Sequence, residues 1–284
     1  MSTRLHAIAV LFASLTWGAC AEAAHADPVT IPLQPYVAGL STVQLSVNGQ
    51  TGTFLFDTGE GLSVISPDFA AHVPCEPWGQ ITGYRFSGER LDAPHCDQLT
   101  FQSGASSFAA PVAGVIDIMS LIGSGAPHVD GAVGLDIFAG RTISIIPQHA
   151  IIVETPQSLR RRIAHARELP VRIVRDAQGA ALTVDGGVST PKGTAWMELD
   201  TGNTGGSLVG NHIAPLVGLT ADQAQPTEGR LTLANGVVVE GGVRTGNYIM
   251  DGNIGAAFLN NWVLTLDLRD GRAWLSAPDG AAPR

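Results

Sequence analysis

Thr53-Phe54-Leu55-Phe56-Asp57-Thr58-Gly59 and Ala195-Trp196-Met197-Glu198-Leu199-Asp200-Thr201-Gly202 are the two stretches on which the reading of the fold turns. Each is a strand-like apolar run that ends in Asp-Thr-Gly. One such triplet means little, because Asp and Gly are ordinary turn residues. Two, each at the end of an apolar strand, need a common explanation. A carboxylate at the end of a buried strand is costly unless it is paired. The glycine lets the backbone turn tightly and approach a neighbour, and the threonine hydroxyl can bond backbone groups and hold the loop.

Outward from the triplets, the correspondence continues. Asp130-Gly131-Ala132-Val133-Gly134-Leu135-Asp136-Ile137-Phe138 matches Asp251-Gly252-Asn253-Ile254-Gly255-Ala256-Ala257-Phe258-Leu259. After each comes a further strand pattern, Thr142–Ile146 and Trp262–Leu268. The chain is therefore an internal repeat of two halves. Within the halves, Val43–Val47 and Thr53–Phe56 flank Asn48-Gly49, and Leu231–Leu233 and Val237–Val239 flank Asn235-Gly236. Both are hairpin signals. Thirty-four glycines and seventeen prolines punctuate the chain at the short intervals an all-β fold requires. One segment departs from this, since Thr155–Leu169 suits a helix, with Thr155 as N-cap and Pro156 as first helical residue. Its arginines make a basic face, which suits a solvated surface better than a membrane.

Residues 1–26 read as an export signal: Arg4, the short apolar run Ala7–Leu15, and Ala24-His25-Ala26 before the cleavage point. Cys20 leaves lipid attachment as a lesser alternative. A periplasmic or secreted location after cleavage near Ala26 is expected, without stable membrane insertion, because no later apolar stretch has membrane length. The net charge of −9 argues against nucleic acid as a partner. Cys75 and Cys96 are the two cysteines beyond the signal, and in an exported chain they are expected to form a disulfide. That bridge would close a loop of about 20 residues, worth about 3 kcal/mol.

These residues resemble the pepsin and retropepsin families of aspartic peptidases, most closely a bacterial two-lobed aspartyl protease. The resemblance rests on the two Asp-Thr-Gly triplets and the two apolar-Gly signatures. It implies an all-β fold of two pseudo-symmetric pepsin-like (acid protease) β-barrel lobes, with a cleft between them and a short helical connector. The expected units are residues 1–26 as signal peptide, 27–153 as N-terminal lobe, 154–170 as connector and 171–284 as C-terminal lobe. It implies an aspartic endopeptidase, with Asp57 and Asp200 sharing a proton and activating one water. Thr58, Gly59, Thr201 and Gly202 would support the two loops, as would Val133-Gly134 and Ile254-Gly255. No metal or other cofactor is called for. The substrate would be a peptide or an unfolded protein, and a monomer is expected because one chain holds both aspartates. Ile81–Gly88, between the cysteines, would be a flap over the cleft, with Gly83 and Tyr84 at the substrate; a half-buried strand aromatic is the competing reading of Tyr84. The Asn235-Gly236 hairpin takes the matching place in the second half.

The residue after each triplet departs from the family, where a hydroxyl residue or alanine is usual. Here Glu60 and Asn203 stand there. Like-charge repulsion from Glu60 would raise the pair's pKa values if its carboxylate points inward. A catalytically silent pepsin-like protein that binds peptides or a partner protein in its cleft is therefore the alternative. The sequence lacks His-Glu-x-x-His, Gly-x-Ser-x-Gly and a phosphate-binding loop ending in Lys-Ser or Lys-Thr. The paired carboxylates of a glycosidase would not require a duplicated Asp-Thr-Gly. The scattered histidines read as surface or satisfied core residues.

Overall fold

The computed structural model describes residues 27–123 and 125–278. The expected signal peptide and Cys20 lie outside the described residues.

The first hairpin forms where the turn chemistry puts it. Strands Ser41–Val47 and Gln50–Phe56 pair antiparallel up to Val47 opposite Gln50. Asn48 and Gly49 between them both have positive φ, 47° and 95°. That is the turn whose twist suits two strands joined by two residues. The second hairpin joins Thr227–Thr232 to Val238–Gly246, again around an Asn-Gly, with Gly236 at φ 82°.

Among the described residues the strands make two sheets, one of thirteen and one of seven. In each half, the strand that ends at the triplet lies parallel to the strand of the downstream signature. Gln50–Phe56 pairs with Gly131–Val133, and Gly193–Leu199 with Gly252–Ile254. The aspartate that opens each signature accepts a backbone N–H from the triplet strand: Asp130 from Thr53 at 2.8 Å, Asp251 from Trp196 at 2.9 Å. The repeat in sequence is thus a repeat in hydrogen bonding. His128 and His212 sit against these same two aspartates at 3.3 and 3.0 Å, at the surface.

The halves are joined beneath by a run of antiparallel strands that draws on both. Val29–Pro35, Ala150–Val153 and Thr142–Ile146 come from the first half, Val263–Asp267 and Arg272–Ser276 from the second, and Arg167–Leu169 from the segment between them. At its centre Thr142–Ile146 pairs with Val263–Asp267, and the buried hydroxyls of Ser144 and Thr265 meet at 2.9 Å. The first-half core is rich in edge-to-face aromatic pairs, Phe54 with Phe69 and Phe101, and Phe138 with Phe56 and Phe108. Phe54, Phe101 and Phe108 are fully buried. Such pairs fix ring orientation as well as burying area.

The helix begins as expected and stops early. Thr155 caps Pro156–Arg162, with a reciprocal bond to Ser158. The stretch expected to continue it to Leu169 instead turns, and Arg167–Leu169 joins the strand Arg272–Ser276. Cross-strand pairing overrides the helical spacing there. Arg272 clasps Glu168 with two hydrogen bonds, 2.8 and 2.9 Å.

Cys75 and Cys96 form a disulfide with Cα atoms 5.6 Å apart. A bridge of this kind belongs to a chain that matures outside the reducing cytosol. It ties the base of the hairpin made by Trp78–Tyr84 and Arg90–Ser103. No helix among the described residues is long and apolar enough to cross a membrane.

Candidate functional site

The two Asp-Thr-Gly loops meet where the halves face each other. The Thr58 N–H donates to the Thr201 hydroxyl and the Thr201 N–H to the Thr58 hydroxyl, both at 3.0 Å. The Thr58 hydroxyl donates onward to the Leu199 carbonyl at 2.6 Å, and Thr58 is fully buried. These reciprocal bonds hold loops 143 residues apart in register. From behind, the Asp57 N–H donates to the Val133 carbonyl and the Asp200 N–H to the Ile254 carbonyl, each at 3.0 Å. Val133-Gly134 and Ile254-Gly255 therefore carry the loops as equivalent struts. Gly255 cannot be enlarged, since a Cβ would lie 2.7 Å from the Asn203 carbonyl oxygen.

The glycines allow the approach of the acids. A Cβ on Gly202 would overlap the Asp57 carboxyl, and one on Gly59 would overlap that of Asp200. The two carboxyls lie close enough for the charge of Asp200 to act on Asp57. Asp57 accepts the Gly59 N–H at 2.8 Å. Asp200 accepts those of Gly202 and Asn203 at 2.7 and 3.0 Å through Oδ1. Its Oδ2 takes the Asn253 amide at 2.6 Å. Burial, then the Asp200 charge, then that of Glu60, hold the Asp57 carboxyl well above the usual carboxylate range, against the pull of the Gly59 N–H.

The charge of Glu60 acts on Asp57 from beside the pair. Glu60 is half-buried and pushed up to about 8, first by burial, then by the charges of Asp136 and Asp200, with Arg85 opposing. Asp136 is buried beside it, raised to about 6 by burial although the Ser63 hydroxyl and N–H donate to it at 2.6 and 3.0 Å. On the other side, the buried Glu198 accepts from the Asn253 amide at 2.9 Å and is held well above its ordinary value by burial and then by Asp200. At neutral pH Glu60 is therefore mostly protonated, and acidic side chains flank the pair on both sides.

No family model and no curated protein matches this sequence. Solved structures do match its architecture. One is a basic 7S globulin from soybean, with TM-score 0.57 and 12% identity over 88% of this chain and 95% of that one. Another is conglutin gamma, described as a unique basic 7S globulin from lupine seeds, with TM-score 0.55 and 11% identity over the same shares. The fold is pepsin-like. The expected membership of the pepsin/retropepsin peptidase family is corrected by these findings. What the chain has in common with those peptidases is the pepsin-like fold; no family model matches it, and the two structures named above are globulins. The expected assignment as an aspartic endopeptidase is corrected with it, because a pepsin-like fold does not by itself carry hydrolysis.

Of the residues singled out in the sequence, Asp57, Asp200, Thr58, Thr201, Gly59, Gly202, Val133, Gly134, Ile254 and Gly255 come together in one region of the pepsin-like fold. Gly83 and Tyr84 lie on the hairpin above it. Tyr84 is 62% exposed, more open than the half-buried strand aromatic of the competing reading. On the same hairpin Phe86 is half-buried, its ring edge to face with that of Tyr248. Glu198, Asn253 and Asp136 escaped the sequence reading. Glu198 left a signal, a charge inside an apolar run two residues before Asp200 and so on the same strand face. Asn253 left a weaker one, standing where the first half has Ala132. Phe86 and Tyr248 left none.

Proposed function

We propose that this chain is a non-hydrolysing pepsin-like protein whose cleft binds an extended peptide or an exposed segment of a partner protein. The observation that carries this reading is the company of the Asp57/Asp200 pair. Glu60 replaces the small or hydroxyl residue expected after the first triplet and stays mostly protonated at neutral pH, and Asn253 ties Asp200 to the buried Glu198. A water-activating pair needs one proton that belongs to it alone. Here further acids with raised pKa values compete for that proton, while the architecture that frames a cleft is kept. The resemblance in fold to the two basic 7S globulins supports this reading.

Recognition would be through backbone. Trp78–Tyr84 is the last strand of the larger sheet, and an edge strand can take up an extended chain by pairing. Under this proposal residues 27–153 and 171–284 act as the two lobes and 154–170 as their connector. The protein works as a monomer in the periplasm or outside the cell after cleavage near Ala26. Polypeptide, not nucleic acid, is its partner.

The test is titration of the protein with unfolded polypeptides, with products followed by mass spectrometry from pH 3 to 8. Saturable binding without cleavage is expected, retained in Asp57→Asn and Asp200→Asn, with no preference for a statine-type mimic over a plain peptide. Cleavage abolished by either substitution would overturn the proposal.

A further inference from the structure

The two halves repeat in backbone and differ in one row of side chains. In the first half Leu55 stands beside Ala132 across the parallel pair, and Ala132 beside Val64. All three are buried in an apolar cluster with Leu40, Ile118 and Val129. In the second half the same register positions hold Glu198, Asn253 and Leu208. The polar row continues outward, with Asp185 opposite Glu198 and Arg172 opposite Asp185. It crosses four adjacent strands of the seven-stranded sheet, from the exposed Arg172 to Asn253, which is 1% exposed. Buried polar groups are costly unless their hydrogen bonds are made.

Asn253 is the junction of the row with the site. Its amide nitrogen donates to Glu198 Oε2 at 2.9 Å and to Asp200 Oδ2 at 2.6 Å. Its Oδ1 accepts the Asn203 amide at 2.8 Å. Asn203 is oriented in turn, since its Oδ1 takes the Gly205 N–H at 2.9 Å and its amide reaches the Gly206 carbonyl at 3.0 Å. This chain of amides leaves the Asn253 side chain one orientation, with both of its N–H bonds on carboxyls.

The two aspartates are thereby unequal. Asp57 accepts one N–H, from Gly59. Asp200 accepts the equivalent one from Gly202 and two more, from the Asn203 backbone and the Asn253 side chain. In the first half the Glu60 N–H goes to the Asp57 backbone carbonyl instead, and Ala132 has no amide to give. Each N–H on a carboxyl favours its ionised form.

We infer that Asn253, held by Asn203 and Glu198, places the negative charge of the Asp57/Asp200 pair on Asp200 and the shared proton on Asp57. Asn253 is then a positioning residue, and the pair presents one fixed acceptor and one fixed donor. This assignment goes beyond the peptide-binding reading and does not depend on what the cleft binds. The surrounding charges agree with it. Asp57 and Glu198 are both held well above their ordinary range, by burial first and then by the charge of Asp200. The other groups in play are Glu60, with Asp136 and Arg85 acting on it, and Asp185 and Asp176 acting on Glu198. A protonated Glu198 sets no second charge beside Asp200.

The test is carbon NMR of the full-length protein labelled at its aspartate carboxyls, the two signals being assigned by their loss in Asp57→Asn and Asp200→Asn. At pH 6 the wild type should show Asp57 protonated and Asp200 ionised. Glu198→Leu combined with Asn253→Ala rebuilds in the second half the apolar row of the first, and Asn253→Ala alone is the milder change. In either variant Asp200 loses a charge-assisted hydrogen bond. The preference of the proton for Asp57 should fall at least about tenfold, and the two signals should draw together.

A wild-type spectrum with the proton on Asp200, or divided equally, would overturn the assignment, and it does so whether or not the variants fold. Signals as far apart in both folded variants as in the wild type would also overturn it, because Asn253 would then only pack.

Discussion

Replacing Glu60 with Gln should stabilise the protein at neutral and alkaline pH and leave it nearly unchanged in acid. Glu60 has an ordinary value of 4.5 and is raised to about 8 in the fold, by burial first and then by Asp136 and Asp200. A carboxyl raised on folding binds more protons in the native than in the unfolded state between those two values. Its contribution to stability is therefore fully present below pH 4.5 and is lost as pH rises toward 8. At about 1.4 kcal/mol per pKa unit, the full interval corresponds to about 5 kcal/mol. Glu60 is half-buried, not sealed, so solvent screens part of this, and about 2–4 kcal/mol is expected. Glutamine keeps the shape and the donor capacity of the protonated acid and never ionises. For a chain of this size, that gain raises Tm by roughly 5–10 °C. The assay is thermal unfolding of both proteins by circular dichroism at intervals from pH 4 to 9. The two curves should coincide at pH 4 and separate steadily, with Gln above Glu. A constant difference across the range would show that the Glu60 carboxyl is not raised in the fold, and the electrostatic account of the site would fail.

Thr58→Val removes the hydroxyl that donates to the Leu199 carbonyl and accepts the Thr201 N–H. It leaves buried groups unpaired and should cost about 2–4 kcal/mol in urea unfolding; a loss below about 0.5 kcal/mol would mean the loops are held by other contacts. Cys75→Ser together with Cys96→Ser should cost about 3 kcal/mol, from the loop released in the unfolded state. Protection from amide exchange should fall first in the Trp78–Tyr84 hairpin, and a uniform fall across both halves would contradict the bridge's local role.

The repeat unit was legible because its signals are local. Asn48-Gly49 specifies its turn by itself, and Thr155-Pro156 its helix start, since both act within a few residues. The triplets were legible because each sits at the end of a strand whose apolar run marks it as buried. The helix end was not legible: Arg167–Leu169 has a helical pattern, and only the Arg272–Ser276 strand across from it makes it extended. Nor could the sequence choose the direction of Glu60. That depends on Asp136, which comes from the turn after Gly131–Val133 and is held by Ser63, and whose charge acts on Glu60.

Sequence alone determined that two apolar strands end in Asp-Thr-Gly and that the chain repeats around them, because spacing and duplication are written along one dimension. Tertiary structure decided what surrounds the two acids: Glu60 acting on Asp57, Glu198 beside Asp200, and Asn253 bridging those two. Those partners are brought together by sheet register and by the packing of one half on the other. The charge of the site, and with it what the cleft can do, is a property of that three-dimensional neighbourhood and not of the motif.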